Sequence, residues 1–185
     1  MAMPADSMAH LVTAEELLGL YLPGKSTELV RGQLVVREPP STRHGSVAAR
    51  MAYLLSDHVY RHHVGVVVVE AGFKIESDPD TVRAPDVAFI DRSREGQLPA
   101  TGYAAFAPDL AVEVVSPGDR TGELLAKVGQ WLDAGTSMVW LIDPQRVKAH
   151  IYRDDGEVRI VAADGRLDGD PILPGFACSL ADVLN

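Results

Sequence analysis

The sequence predicts a mixed α+β (α/β) domain whose core, over about residues 41–143, runs helix, three strands, helix, strand. Three observations lead there. Val47, Met51, Leu54, Leu55 and Val59 recur at helical spacing between Ser41 and His63. Three β-branched runs follow, at Val66–Val69, Val87–Ile90 and Leu110–Val115. A second helical stripe, Leu124, Leu125, Val128 and Leu132, then leads into the apolar segment Met138–Ile142. At 185 residues, 46% hydrophobic and 23% charged, the chain has the size and composition of one globular domain, and 1–185 reads as a single unit without repeat or linker.

Each element has its own local signal. Thr13-Ala-Glu-Glu16 is a capping box that starts a short helix ending before Pro23-Gly24. Glu28–Val30 and Gln33–Val36 flank Arg31-Gly32, a tight hairpin in which Gly32 takes a positive φ, and Pro39-Pro40 stops the second strand. The long helix fills residues 41–63. Gly65 opens a strand that the four consecutive valines mark as buried, running to about Ile75, and Asp78-Pro79-Asp80 turns the chain. Pro85 starts the next strand. Residues 91–107 read as a long loop. Ser116-Pro117-Gly118-Asp119 breaks the strand that contains Glu113, and the second helix ends near Gly135. Asp143-Pro144 stops the fourth strand. A second hairpin turns at Asp154-Asp155-Gly156, and Ser179 caps a last short helix.

Charge and motifs narrow the function. The net charge of −9 argues against a protein that coats nucleic acid through a broad basic surface, but not against one that meets a phosphodiester through a metal ion. The single cysteine, Cys178, allows neither an intrachain disulfide nor a cysteine zinc cage and reads as packing. Neither a secretory signal nor a membrane-spanning run is visible, so a cytoplasmic protein is expected. Phosphate-cradling glycine motifs and a nucleophile elbow are absent. His58 and His62 have the i,i+4 spacing of zinc ligands but lack an accompanying acid, and they suit a helix C-terminus without metal.

Acids inside apolar strands are the main chemical signal. A carboxylate at the centre of a buried strand costs several kcal/mol unless it is paired, protonated or metal-bound. Glu113 sits in Leu-Ala-Val-Glu-Val-Val, and Asp86 just ahead of Val-Ala-Phe-Ile. If their strands are neighbours, the two converge and form the oxygen set that Mg²⁺ or Mn²⁺ prefers. Otherwise Asp86 caps a turn and Glu113 pairs with Arg83 or another base. Lys127, on the second helix about one turn before Trp131, either points at the same site or is solvated. Glu28 is equally a third carboxylate or an ordinary strand residue. Glu70 and His44 are secondary candidates: Glu70 as an inward acid or a partner of Lys74 or Arg83, His44 as a surface residue or a contact of the site. Trp131 and Trp140 read as core.

At these positions the sequence resembles a known family. Pro85-Asp86, followed after a strand and a loop by Glu113-Val-Val, resembles the PD-(D/E)XK nuclease motif. The order of Glu28-Leu-Val-Arg-Gly-Gln-Leu34, His44, Ala84-Pro-Asp-Val87, Glu113-Val-Val-Ser-Pro117, Lys127, Ala134-Gly135 and Val139-Trp-Leu-Ile-Asp-Pro144 is similar to the Uma-type restriction-endonuclease family. The superfamily's lysine, two residues after the acid, is replaced here by Val115, and in the resembling family it has moved to the following helix, at Lys127.

The resemblance implies a restriction-endonuclease-like fold and a metal-dependent endonuclease acting on nucleic acid, DNA in the first instance, as a homodimer. It implies Asp86, Glu113 and the Val114 carbonyl as ligands of Mg²⁺ or Mn²⁺. Lys127 would stabilise charge, Glu28 would complete the acidic pocket or hold a second metal, and His44 would contact phosphate or the acids. The rival reading is a non-catalytic binding or assembly module on the same fold. It draws support from the net negative charge, and the two are separated by whether divalent metal raises the melting temperature.

Overall fold

The computed structural model of the protein describes residues 10–185. The N-terminal segment forms α1 (Ala14–Gly19), with both halves of the capping box present: Glu16 N–H donates to Thr13 and Thr13 N–H to the Glu16 carboxylate. The hairpin β1 (Ser26–Val30) and β2 (Gln33–Arg37) turns through Arg31 and Gly32, both at positive φ (48° and 74°). Then come α2 (Thr42–His62), β3 (Gly65–Val69), β4 (Phe73–Glu76), β5 (Thr81–Arg83), β6 (Val87–Asp91), α3 (Arg92–Glu95) and β7 (Leu110–Val114). The chain continues through α4 (Thr121–Asp133), β8 (Met138–Asp143), β9 (Lys148–Arg153), β10 (Val158–Val161), β11 (Arg166–Asp168), β12 (Ala177–Ser179) and α5 (Leu180–Leu184).

The main sheet has the order β10-β9-β8-β7-β6-β3. Its one parallel pair is β7 with β8, and α4 is the crossover that a parallel pair requires. Helix α2 lays Val47, Met51, Leu55 and Val59 on one face of this sheet, in a core shared with Trp140, Phe176 and α5. Helix α4 covers the other face: Val128 and Trp131 pack with Ala88, Ala111 and Val139. The small alanines of β6 and β7 let the Trp131 indole approach the sheet. The order helix, three strands, helix, strand survives as α2, β3, β6, β7, α4 and β8.

One expected strand is two. The run expected to continue to Ile75 breaks after Val69, where Glu70 adopts φ 50°. The four valines are only half covered, and Val69 is exposed, because β3 lies at the edge of the sheet. The chain then leaves for a second, four-stranded sheet of order β2-β1-β5-β4. The β-branched run itself ends there, at Glu70-Ala-Gly72, but the sequence pattern does not say which sheet the residues beyond it join. The detour through β4 and β5 has a consequence for charge: it places Arg83 of β5 beside Glu28 of β1. The expected loop at 91–107 contains α3, capped by Asp91. Among the described residues no helix is long and apolar enough to cross a membrane.

Two glycines probe the packing in opposite senses. A Cβ on Gly65 would lie 2.1 Å from the Ile90 carbonyl oxygen, a backbone atom that cannot yield cheaply, whereas a Cβ on Gly129 in α4 meets nothing within 4 Å. Gly65→Ala is expected to cost about 1–3 kcal/mol or more in denaturant unfolding. Gly129→Ala is expected to add about 0.5–1 kcal/mol. Equal effects would contradict the packing described.

Candidate active site

The two sheets and α4 meet around one buried ammonium. Lys127, about one turn before Trp131 on α4, projects inward with it. Its Nζ donates to Glu113 Oε2 at 2.9 Å and to the Ala84 carbonyl at 3.1 Å, and lies 3.2 Å from Glu28 Oε1. The Trp131 indole N–H donates to the other Glu113 oxygen at 2.9 Å. Spacing i,i+4 puts lysine and indole on one helix face, so a single helix grips both oxygens of the same carboxylate. Glu113 and Lys127 are 6% and 8% exposed.

Glu28 faces the same point from the second sheet. It accepts from Arg83 at 2.8 Å, from Ala84 N–H at 3.0 Å and from Arg37 at 3.4 Å. Gln130 of α4 in turn accepts from Arg83 Nε and Nη2 at 2.8 and 2.6 Å, tying β5 to the helix. Burial raises the Glu28 pKa, but Lys127, Arg83, the Ala84 N–H and Arg37 together overcome it and hold the carboxyl at about 2. Burial drives Glu113 the other way: with Asp86 and Glu28 adding negative charge and Lys127 only partly compensating, its carboxyl is pushed up to about 7. Burial disfavours the Lys127 ammonium, but Glu113 and Glu28 more than offset this and its pKa lies above the usual value.

Asp86 stands across from Glu113. The antiparallel register pairs Val87 with Val112, and one step further sets position 86 opposite position 113. Asp86 Oδ2 accepts from Val114 N–H at 2.6 Å and lies 3.2 Å from His44 Nε2. That contact with Asp86 raises the His44 pKa, against burial, which lowers it. His44 Nδ1 is buried without a partner. Asp86, Glu113, Lys127, Glu28 and His44 all line one cleft of about 1030 Å³.

The structure therefore brings together five of the six candidate side chains. The sixth, Glu70, lies exposed on the cleft wall; Lys74 pairs with Asp80 and Arg83 with Glu28, so neither potential partner is available to it. Glu113 pairs with Lys127, not Arg83. Every described partner of Glu28 is a cation or an N–H donor, which makes it the counter-ion that orients Lys127. Sequence reasoning missed Arg37 and Gln130, read Trp131 as core alone, and offered Arg83 as a partner of Glu113 or Glu70, where the structure gives it to Glu28. The one available signal was the i,i+4 spacing of Lys127 and Trp131. His58 contacts the Pro174 carbonyl, in keeping with a helix-end histidine.

The site can be tested for fit to a hard cation. Among the described residues no group of three or more His, Cys, Asp and Glu side chains gathers as a ready-made cage. Two carboxylates in facing register beside the Val114 main chain remain, and the raised Glu113 pKa marks a local surplus of negative charge. A divalent ion that takes few protein oxygens and keeps several waters suits that donor set.

Comparisons with known proteins bear on the family and the fold. A family model, Uma2, described as "Putative restriction endonuclease", matches residues 14–181. No curated protein matches. A crystal structure from Anabaena variabilis, described as a "putative nuclease belonging to DUF820", superposes with a TM-score of 0.80 at 21% identity. The match covers 94% of this chain and 97% of that one, so the two share a fold.

The titrations set a stability profile for the metal-free protein. The Glu113 contribution is fully present below the ordinary value of 4.5 and is lost as pH rises to about 7. His44, raised above 6.5, adds a further loss as pH climbs past that value. Glu28 works in reverse: its contribution is present above 4.5 and is lost only as pH falls toward about 2. Urea unfolding from about pH 5 to 8 should show these two groups drawing stability down with rising pH, and Glu113→Gln should flatten the part below about pH 7. An unchanged slope in that variant would contradict the assignment.

Proposed function

We propose that this chain, which belongs to the Uma2 family, is a metal-dependent nuclease that hydrolyses nucleic-acid phosphodiester bonds. The observation that carries the reading is the buried Lys127 ammonium, held between Glu28 and Glu113 at the floor of a cleft that Asp86 also faces. A structural ion pair needs no cleft, and a core lysine needs no second acid aimed at it.

Asp86, Glu113 and the Val114 carbonyl would hold the divalent ion, Mg²⁺ or Mn²⁺. That ion, when bound, supplies a water of lowered pKa and neutralises phosphoryl charge. The protein's own groups do the rest. Lys127 presents a fixed positive charge where negative charge develops on the phosphoryl oxygens, and it needs no reorganisation because Glu28 and the Ala84 carbonyl already orient it. Trp131 fixes the Glu113 carboxylate by its second oxygen. His44, bonded to Asp86, orients that carboxylate from α2 and would donate to a phosphate oxygen when protonated. Lys127 thus occupies in space the role of the lysine that Val115 replaces in the chain.

Lys127→Met keeps the packing and removes the charge. It should lower the cleavage rate of a nucleic-acid substrate in Mn²⁺ by roughly 10²-fold or more, the loss seen when one charge-stabilising donor is removed. A wild-type rate in this variant would reduce Lys127 to a structural residue and favour the non-catalytic binding module.

We also propose a homodimer. Val158 and Ile160, 56% and 65% exposed on β10 at the end of the main sheet, are apolar residues that edge-to-edge pairing with a second copy would bury. Light scattering should give twice the monomer mass, and Ile160→Lys should return the monomer.

A further inference from the structure

We infer that the cleft takes single-stranded nucleic acid and grips it by the bases rather than by the phosphates. This rests on the nuclease reading above and narrows its substrate. The first observation is charge. Lys25, Arg37 and Lys127 are the lysines and arginines that line the cleft, and each is already paired: Lys25 with Glu38, Arg37 with Glu28 and Asp119, Lys127 with Glu28 and Glu113. Glu70 and Asp86 add further carboxylates to the walls. A protein that binds duplex draws much of its affinity from free cations that displace counterions from phosphates. Among the described residues the cleft walls offer no unpaired lysine or arginine for that purpose.

The second observation is aromatic. Tyr21 lines the cleft and is 82% exposed, and its neighbour Leu22 and the exposed Val36 line the cleft as well. Tyr103 lines it too, and its ring is fixed. A Cβ on Gly72 would lie 2.3 Å from Tyr103 Cδ1, so the ring lies directly against the Gly72 main chain. The segment is pinned there by Ala104 N–H to the Gly72 carbonyl (3.3 Å) and Lys74 N–H to the Ala104 carbonyl (2.8 Å). Tyr21 therefore offers an open stacking platform of the kind that binds unpaired bases without regard to sequence, and Tyr103, packed on Gly72 and on the small core of Ala14, Leu17, Leu29 and Val82, is a second, partly covered ring on the same lining. Paired bases in a duplex present no face to such a platform.

The third observation is depth. Glu113 and Lys127, at 6% and 8% exposed, are the nearly covered part of the lining, while Tyr21 on the same lining is open to solvent. A flexible strand that stacks its bases on the walls can lower one phosphodiester to that covered part. A stiff helix carries its phosphates on the outside, where this cleft offers carboxylates.

The test uses the full chain in Mn²⁺ with one sequence as single-stranded DNA, single-stranded RNA, DNA duplex and RNA duplex. Single strands should be cut with kcat/KM at least about tenfold above duplexes, and the DNA and RNA arms identify which sugar is accepted. Tyr21→Ala should raise KM roughly 5- to 150-fold, the range for losing one stacked base, and Tyr21→Phe should recover most of that loss. Tyr60→Ala, an equally exposed tyrosine outside the cleft, is the control. Anisotropy of a labelled single strand reads binding without cleavage. Its affinity should fall less than about threefold between roughly 50 and 200 mM salt, the slope of a single phosphate contact. Preference for duplex, a steep salt slope or an unaffected Tyr21→Ala would overturn the inference and leave the nuclease reading standing. Absence of cleavage of all four substrates would overturn both.

Discussion

The Lys127 ammonium is the interaction around which the site is organised. Burying a charge costs several kcal/mol, and one counter-ion rarely offsets that cost unless the remaining donors are satisfied as well. Lys127 is satisfied on every side that the fold controls: Glu113 on the main sheet, Glu28 on the second sheet, and the Ala84 carbonyl in the connection between them. These three partners come from β7, β1 and the segment joining β5 to β6. The cation therefore acts as a joint between two sheets that share no strand, and Arg83 with Gln130 reinforces that joint beside it.

From this constraint follows the unequal treatment of the three acids. Glu28 receives more positive charge and N–H donation than it needs and is firmly ionised; Glu113 receives too little and is pushed toward neutrality. Asp86 lies across the register from Glu113 and is steadied by the Val114 N–H and His44. A fold that keeps an under-neutralised carboxylate opposite a second one, at the floor of a cleft, carries a standing electrostatic cost. Natural structures retain such costs chiefly at functional sites. A cation held there would relieve the cost, and this links the folding energetics to the proposed chemistry.

Much of this was legible in the sequence because it rests on local rules. Apolar spacing located α2 and α4, the capping box placed α1, and Arg31-Gly32 and Asp154-Asp155-Gly156 placed the two hairpins. Glu113 and Asp86 stood out because acids are costly in apolar strands. What could not be read was long-range. Nothing near Val69 says that the next strand leaves for another sheet, so the meeting of Arg83 with Glu28, 55 residues apart, was hidden. Trp131 was legible only as core because an indole buries well in any case; that its N–H meets a carboxylate depends on the depth at which α4 docks, which the alanines at 88 and 111 allow. The absence of lysine at position 115 could be seen, but whether Lys127 replaces it depends on which face of α4 turns inward.

The central claim is a division of labour, in which Asp86 belongs to the cation site and Lys127 does not. Calorimetric titration of Mn²⁺ into the wild type, Asp86→Asn and Lys127→Met tests it directly. Asp86→Asn keeps an oxygen for the Val114 N–H and so preserves the fold contact while removing the charge. The account predicts binding in the wild type, loss of at least about tenfold in affinity in Asp86→Asn, and affinity in Lys127→Met equal to or tighter than wild type because a competing cation has gone. Full binding in Asp86→Asn, or loss of binding in Lys127→Met, would contradict it.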